Sequence, residues 1–222
     1  MPSERVGPLT RERRRELTRT ALIEAAAELF ARSGFHATSL EEIAQAAGFT
    51  RGAIYKNFKS KEDILIAVVD WTIERQFVAY ADALEDATET SSNQVSAAAD
   101  VWTRLFRRDR VLTLLTLELR LHALRNPEFR PRLEEWERHQ VDRAARFIEE
   151  RMEVGGLSLS IPADDLAALA LASVEGIAQV AVIRSDGDER ANELMKVLFG
   201  LLSSLVKPST AGSQSRGRAK RR

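Results

Sequence analysis

The chain has 222 residues, of which 44% are hydrophobic and 30% are charged. This length and composition fit a folded protein with one large or two small domains, and they exclude a mini-protein or a disordered chain. The chain contains no cysteine, which excludes disulfides, thiolate metal sites and cysteine nucleophiles. It contains three histidines. Because Met1 to Leu17 lacks the apolar run of a secretory signal, we expect a cytoplasmic protein.

The formal net charge is zero, but the charge is unevenly distributed. Residues 207–222 contain six basic residues and no acidic ones, and residues 1–65 contain eleven basic and nine acidic residues. Such an asymmetry indicates that one end of the chain, rather than the whole surface, meets a polyanion.

Glycine and proline are few, with 11 and 6 residues, and most of them lie where the apolar periodicity stops. This favours a nearly all-helical chain without strands. Apolar residues at spacings of three and four predict a first helix from about Thr10 to Arg32, ended by Gly34. Thr38 to Glu42 has a capping-box pattern that opens a short helix, and Gly48 ends it.

Two further helices are predicted, over 51–57 and from Lys61 onward, with Thr50 and Ser60 as candidate caps. Beyond Ala83, the polar stretch from Asp86 to Asn93 is predicted to be a loop. Longer helices are predicted at about 94–107, 110–125, 128–154, 163–184 and 189–206. Residues 207–222 have nothing to bury and are predicted to form a disordered basic tail.

The segment from Ala163 to Ile183 is the most apolar part of the chain. It contains Asp164, Asp165 and Glu175, which counts against a membrane span of about 18 apolar residues. Small and apolar residues cover nearly its whole circumference, so we expect a buried helix with partners on both sides. With the helix at 189–206 it could form a two-fold homodimer patch; alternatively, both helices are core of one monomer.

The stretch from Thr38 to Lys61, TSLEEIAQAAGFTRGAIYKNFKSK, has the pattern of a helix-turn-helix motif. In its second helix, Arg51 could bind guanine through two hydrogen bonds, and the Ala53 methyl could contact thymine. The small Gly52 and Ala53 would allow a close approach to DNA. Thr50, Tyr55, Lys56 and Lys61 carry donors suited to phosphate. The alternative is an αα-hairpin within a helical bundle.

The same stretch resembles the TetR family of bacterial transcriptional repressors. The resemblance covers about residues 14–66 and rests on Phe30, Gly34, Thr38, Ile43-Ala44-x-x-Ala47-Gly48, the run TRGAIYKNF from Thr50 to Phe58, and Lys61-Glu62-Asp63-Ile64-Leu65. It implies an all-α fold with an N-terminal three-helix helix-turn-helix domain. A C-terminal helical bundle for ligand binding and dimerisation is implied as well.

The residue pattern together with the resemblance predicts domain limits of 1–9 for a flexible N-terminus, 10–66 for the DNA-binding domain, 67–206 for the ligand-binding and dimerisation domain, and 207–222 for the tail. The DNA contacts it implies are Thr38, Thr50, Arg51, Gly52, Ala53, Tyr55, Lys56, Asn57 and Lys61. It also implies a basic arm of Arg11, Arg13, Arg14 and Arg15, although these could equally be a solvated helix start paired with Glu12 and Glu16. Asn57 and Lys56 depart from the usual family residues, which leaves the operator preference open.

Four residues of the C-terminal region combine apolar surface with a polar group and are candidates for a ligand pocket, although they could also be core: Trp71, Trp102, Glu118 and His122. The three histidines are far apart and belong to no metalloprotease or nucleophile pattern. We therefore expect no enzyme, no metal and no cofactor.

The sequence thus predicts a homodimeric, ligand-responsive repressor that binds a palindromic operator in double-stranded DNA and is released by an unidentified small molecule. The alternative is a helical protein that binds a partner helix or a small molecule without sequence-specific DNA binding.

Overall fold

The computed structural model describes residues 10–90, 100–101 and 109–209. Within these residues the fold is helical apart from one pair of short strands, which confirms the all-α prediction. The elements are α1 (Arg11–Ser33), α2 (Leu40–Ala46), α3 (Arg51–Asn57), α4 (Lys61–Thr90), α5 (Arg110–Arg125), a 3₁₀ turn (Pro127–Phe129), α6 (Arg130–Val154), β1 (Leu157–Leu159), α7 (Ala163–Ile183), α8 (Gly187–Ser203) and β2 (Val206–Pro208).

The first helices begin and end at the residues that the sequence indicates. The Thr10 side chain accepts a hydrogen bond from the Arg13 amide at 3.2 Å. Ser39 and Glu42 form a reciprocal capping box, with 3.2 Å from the Glu42 amide to Ser39 Oγ and 2.7 Å from the Ser39 amide to Glu42 Oε2. Gly34 and Gly48 have φ of 81° and 75°, a region that favours glycine. The turns of the motif are therefore specified locally.

The described residues divide into two compact units. The first contains the chain up to Arg75 together with Leu114–Arg125. Each of its helices buries apolar side chains in the unit's core, which includes Leu22, Phe30, Ile43, Ile54, Phe58, Ile64, Leu65, Val68 and Leu119. Helix α3 contributes a single buried residue, Ile54, to this core. Its position therefore depends on a small contact area.

The second unit contains Gln76–Thr113 and the chain from Asn126 onward. Helix α7 packs against both α6 and α8. A core cluster forms around Ile177, Ala191 and Met195, and the rings of Phe77 and Phe147 meet edge to face at 4.9 Å. The two strands pair antiparallel, with Leu157 opposite Pro208 and Leu159 opposite Val206.

Three predictions about the local structure are wrong. Helix α4 continues to Thr90, so residues 86–90 are helical and not part of a loop; residues 91–93, and most of the helix predicted at 94–107, lie outside the described residues. The expectation of no strands fails because β1 and β2 pair across 49 positions, a long-range contact that local patterns do not reveal. Helix α8 ends at Ser203, before the predicted end at 206, and Val206–Pro208 form β2. The Ser209 amide donates to Gly156 O at 2.9 Å, and residues 210–222 of the predicted tail lie outside the described residues.

Helix α7 is less buried in the single chain than its composition predicts. It is long and apolar enough for a membrane span by length and composition, with a mean hydropathy of 2.0 over an 18-residue stretch, yet only 11% of that stretch is buried. Leu166, Ala167 and Ile177 are its buried residues, while Leu169 and Ile183 are exposed. The predicted packing against neighbouring helices is present, since α6 and α8 both contact α7, but the predicted burial of α7 is wrong for one isolated chain.

The capping box predicts a pH dependence of stability. Hydrogen bonds from the backbone and side chain of Ser39 hold the pKa of Glu42 below its ordinary value of 4.5. Because the folded-state pKa is the lower one, this stabilisation is complete above about pH 4.5 and is lost as the pH falls through the folded-state pKa. Glu42→Gln should lower the free energy of unfolding at pH 7 and should lower it less near pH 3, as measured by urea unfolding. An equal loss at both pH values would contradict this.

Candidate nucleic-acid interface

Helix α3 presents most of its length to solvent. Ile54 and the following Phe58 are buried, whereas Arg51, Tyr55 and Lys56 are exposed. A helix of seven residues is too short to be stable alone, because nucleation costs more than so few hydrogen bonds return. The apolar side thus anchors α3, and its polar side is available to a ligand.

A cleft of about 1000 Å³ lies between the start of α1 and α3. Its lining consists of Arg11, Glu12, Arg14, Arg15, Thr18, Thr50, Gly52, Ala53, Lys56 and Asn57. The cleft therefore brings together five of the nine predicted DNA contacts and three arginines of the predicted arm. Four basic side chains face a single acid in this lining, and such a basic groove attracts phosphate.

The fourth arm residue, Arg13, does not line the cleft. Its guanidinium contacts Glu16 at 3.2 Å in an exposed pair three residues apart on α1. For this residue the structure has the helix-surface pairing that was the alternative to a DNA-binding arm.

The C-terminal end of α3 is held by Arg19 of α1. Its Nη1 donates to the Asn57 carbonyl at 3.2 Å, and its guanidinium carbon lies 4.4 Å from the centre of the Phe58 ring. Partial desolvation and the neighbouring Arg15 lower the pKa of Arg19. The side-chain Nδ2 of Asn57, in turn, donates to Ala53 O at 2.9 Å. Arg19 thus satisfies a terminal carbonyl that the helix itself leaves open.

Arg51 and Tyr55 share one carboxylate of α2. The Arg51 Nε lies 2.9 Å from Glu41 Oε1, and the Tyr55 hydroxyl donates to the same oxygen at 3.1 Å. The Arg51 guanidinium also lies 5.6 Å from the centre of the Tyr55 ring. An acid therefore stands directly beside the predicted base-reading side chain.

Thr38 and Lys61 contact the turn between α1 and α2. Thr38 is 3% exposed, and its hydroxyl donates to Gly34 O at 2.9 Å. Lys61 Nζ donates to His36 O at 3.0 Å and lies 4.5 Å from the centre of the Phe35 ring, where desolvation lowers its pKa. In this conformation both side chains brace the turn.

The candidate pocket residues lie in different surroundings. Trp71 is half-buried beneath the Arg75 guanidinium at 4.6 Å, and Glu118 Oε1 lies 2.6 Å from His36 Nε2 in the first unit. His122 is half-buried on α5, and Trp102 lies outside the described residues. The buried Trp136 and Gln140 of α6 were missed, because an amphipathic helix gives no sign of which polar residue it buries.

These features define a helical DNA-binding regulator of the helix-turn-helix class. A family model described as bacterial regulatory proteins of the tetR family matches residues 22–68, and a model for the tetracyclin repressor-like C-terminal domain matches residues 93–204. The second match alone covers half of the chain, so this chain belongs to the TetR family of transcriptional regulators. Members of this family are regulatory DNA-binding proteins and not enzymes.

The similarity to individual proteins is higher over short stretches than over most of the chain. The chain is 53% identical to the transcriptional regulator AcrR of Shigella flexneri over 47 residues, which are 21% of this chain and 22% of that regulator. This match thus spans about a fifth of the relative's length. YfiR of Bacillus subtilis, an uncharacterised regulator, is 25% identical over 80% of this chain and 86% of its own. A putative TetR-family regulator from Rhodococcus sp. shares the fold, with a TM-score of 0.65, 21% identity, and 86% and 98% of the two chains covered.

The position of Arg19 predicts an effect on stability. Arg19→Ala removes the donor to the Asn57 carbonyl and the contact with Phe58, and it should lower the free energy of unfolding by about 1 kcal/mol. Arg13→Ala removes the same charge from an exposed i,i+3 pair and should cost less than about 0.5 kcal/mol. Urea unfolding followed by circular dichroism measures both. Equal losses would show that Arg19 does not hold the end of α3.

Proposed function

We propose that this protein is a cytoplasmic, ligand-responsive repressor that binds a palindromic operator as a homodimer and is released by a small molecule. The observation that carries the proposal is the basic cleft beside the exposed face of α3, within a helix-turn-helix domain of a TetR-family chain. A symmetric dimer would insert its two α3 helices into successive major grooves.

Within this proposal the predicted DNA contacts and the arm residues have three roles: base reading, phosphate binding and support of the turn before α2. Arg51 reads guanine and the Ala53 methyl meets thymine, while Gly52 allows the close approach. Thr50, Tyr55, Lys56, Asn57 and the arm residues Arg11, Arg14 and Arg15 bind phosphates. Thr38 and Lys61 act from the turn between α1 and α2, where they hold the start of the motif.

Dimerisation through α7 and α8 is supported by their exposed apolar residues. Leu169 and Ile183 are 52% and 74% exposed, and Leu201 of α8 is 63% exposed. Leu169, Gly176 and Ile183 follow each other at intervals of seven, so they lie on one side of α7. Apart from its chain neighbours and the nearby backbone of its own helix, a Cβ built at Gly176 or at Gly200 meets no atom within 4 Å in the single chain. Such a surface fits a second copy of the same helices in a two-fold arrangement.

Ligand binding by the second unit is supported by polar groups buried there. Trp136 is 7% exposed and its Nε1–H has no acceptor among the described residues. Gln76 Oε1 and Asn192 Oδ1 likewise lack a donor there. Unpaired buried groups cost about 1–3 kcal/mol each, which a ligand with complementary groups would recover. We therefore expect an inducer that both donates and accepts hydrogen bonds. Trp71, Glu118 and His122 belong to the first unit, so they are proposed separately as ligand contacts there, and the fourth candidate, Trp102, lies outside the described residues.

The proposed switch uses helices that run through both units. Helix α4 passes from the first unit to the second at Arg75, and α5 passes back at Leu114. Glu118 of α5 contacts His36 just before α2, so a shift of α5 would reach the helix-turn-helix. The inducer can drive this change only if it binds the DNA-incompetent state more tightly.

The DNA-binding roles predict different effects of two substitutions. Arg51→Ala should weaken binding to the best duplex from a randomised pool by about 1–3 kcal/mol and relax one base position. Lys56→Ala should weaken binding to all duplexes alike and reduce the salt slope by about 1. Fluorescence anisotropy at several salt concentrations measures both. A wild-type chain that bound selected and scrambled duplexes equally would contradict the repressor proposal.

The dimer surface predicts a change of oligomeric state. The unaltered protein should have a mass in solution of twice the 24.8 kDa chain, and Leu201→Glu should shift it to the single-chain mass because charges would be buried at the interface. Light scattering after size exclusion measures this. Val154→Glu is the matched control, because Val154 is 79% exposed at the end of α6, and it should stay dimeric. If Leu201→Glu remained a dimer, another surface would have to form the interface.

A further inference from the structure

We propose that Glu41 is a specificity-determining positioning residue: it orients Arg51 for base reading and lowers the affinity for DNA of any other sequence. This inference rests on the proposed DNA-binding function and deepens it. The α2 carboxylate belongs neither to the predicted DNA contacts nor to the capping box of α2, which uses Glu42.

Glu41 contacts the Nε side of the Arg51 guanidinium. Glu41 Oε1 lies 2.9 Å from Arg51 Nε and also accepts the Tyr55 hydroxyl at 3.1 Å. Arg51 Nε is therefore engaged, and the two terminal nitrogens of the guanidinium are the ones left for a ligand. A pair of N–H groups in that plane matches the O6 and N7 acceptors of guanine. Glu41 thus directs the two terminal nitrogens of the Arg51 guanidinium toward a base edge.

The contact between Glu41 and Arg51 lowers the entropy cost of ordering the Arg51 side chain when DNA binds. A free arginine has many rotamers, and immobilising a flexible side chain at an interface costs about 0.5–1.5 kcal/mol, which corresponds to about a 2- to 12-fold change in affinity. Arg51 is the first residue of α3 and is 73% exposed, so core packing does not restrict it. The bond to Glu41 and the nearby Tyr55 ring restrict its rotamers before DNA arrives.

The charge of Glu41 acts in the opposite direction on other DNA. A carboxylate beside Arg51 neutralises its attraction for phosphate and repels the backbone of any duplex. On the matching sequence, two hydrogen bonds to guanine outweigh this repulsion; on other sequences nothing does. The same carboxylate therefore raises the affinity for the matching duplex and lowers the affinity for other duplexes. Both effects increase the ratio of the two affinities. Since the pair is exposed, its effect on folding is small.

Glu41→Gln tests the inference by separating these two effects. The duplex selected from a randomised pool and a scrambled duplex of equal length serve as probes, with anisotropy as the readout. Removing the charge should raise affinity for the scrambled duplex about twofold. The bond to Arg51 should weaken, because the neutral amide oxygen of Gln accepts without the charge assistance of a carboxylate, and affinity for the selected duplex should fall about fivefold. The ratio of the two affinities should thus fall about tenfold, and the thermal unfolding midpoint should be unchanged.

Glu12→Gln is the matched control, because Glu12 lines the same cleft from α1. It removes an equal charge near the DNA but leaves the 2.9 Å contact of Arg51 with Glu41 in place, so both affinities should rise equally. In an Arg51→Ala background, Glu41→Gln should behave like Glu12→Gln. This second comparison tests whether Glu41 acts through Arg51, which a merely structural role would not produce.

The outcomes separate the inference from the proposed function. A wild-type chain without preference for the selected duplex overturns both. A wild-type preference that Glu41→Gln leaves intact, or changes only as much as Glu12→Gln does, overturns the role of Glu41 alone. A ratio that falls for Glu41→Gln equally with and without Arg51 shows that Glu41 acts through another group.

Discussion

The structure of the DNA-binding unit depends on how a helix of seven residues is held in place. Such a helix has little stability of its own, since nucleation costs more than one or two turns return. Ile54 and Phe58 bury its apolar side, Arg19 binds its last carbonyl, and the capped α2 supports it through Glu41. Ile54 and Phe58 are buried, whereas Arg51, Tyr55 and Lys56 are exposed. The polar residues are therefore free to be chosen for a ligand and not for folding.

The charges around α3 serve two different requirements. Attraction to a polyanion needs cations, which the start of α1 and Lys56 supply in the cleft. Discrimination between sequences needs side chains with few conformations and a cost for every wrong partner. An acid at Glu41 meets this second requirement only because it lies within hydrogen-bond distance of Arg51. A purely basic surface would bind DNA more strongly and read it less well.

Much of the motif could be predicted because its signals are local. Thr10, the Ser39–Glu42 capping box and the positive φ of Gly34 and Gly48 are each specified within a few residues. Contacts between distant positions could not be predicted: Arg19 reaches Asn57 across 38 positions, and β1 pairs with β2 across 49. The continuation of α4 through the threonine-rich stretch to Thr90 was missed for a related reason. Local composition favours a loop there, and tertiary context can override such a weak preference.

The composition of helix α7 predicts more burial than one chain provides. Its sequence is apolar around nearly the whole circumference, which indicates that most of its surface is removed from water in the functional state. Within one chain only Leu166, Ala167 and Ile177 are buried. The discrepancy disappears if the remaining apolar face belongs to an interface. A residue pattern indicates that a face is buried, but it does not distinguish burial within one chain from burial against a second chain. Gly176 adds a geometric argument, since a glycine with nothing within 4 Å of its Cβ position has no use in the isolated helix and costs it stability. A second α7 approaching closely at that point would explain both its composition and its glycine.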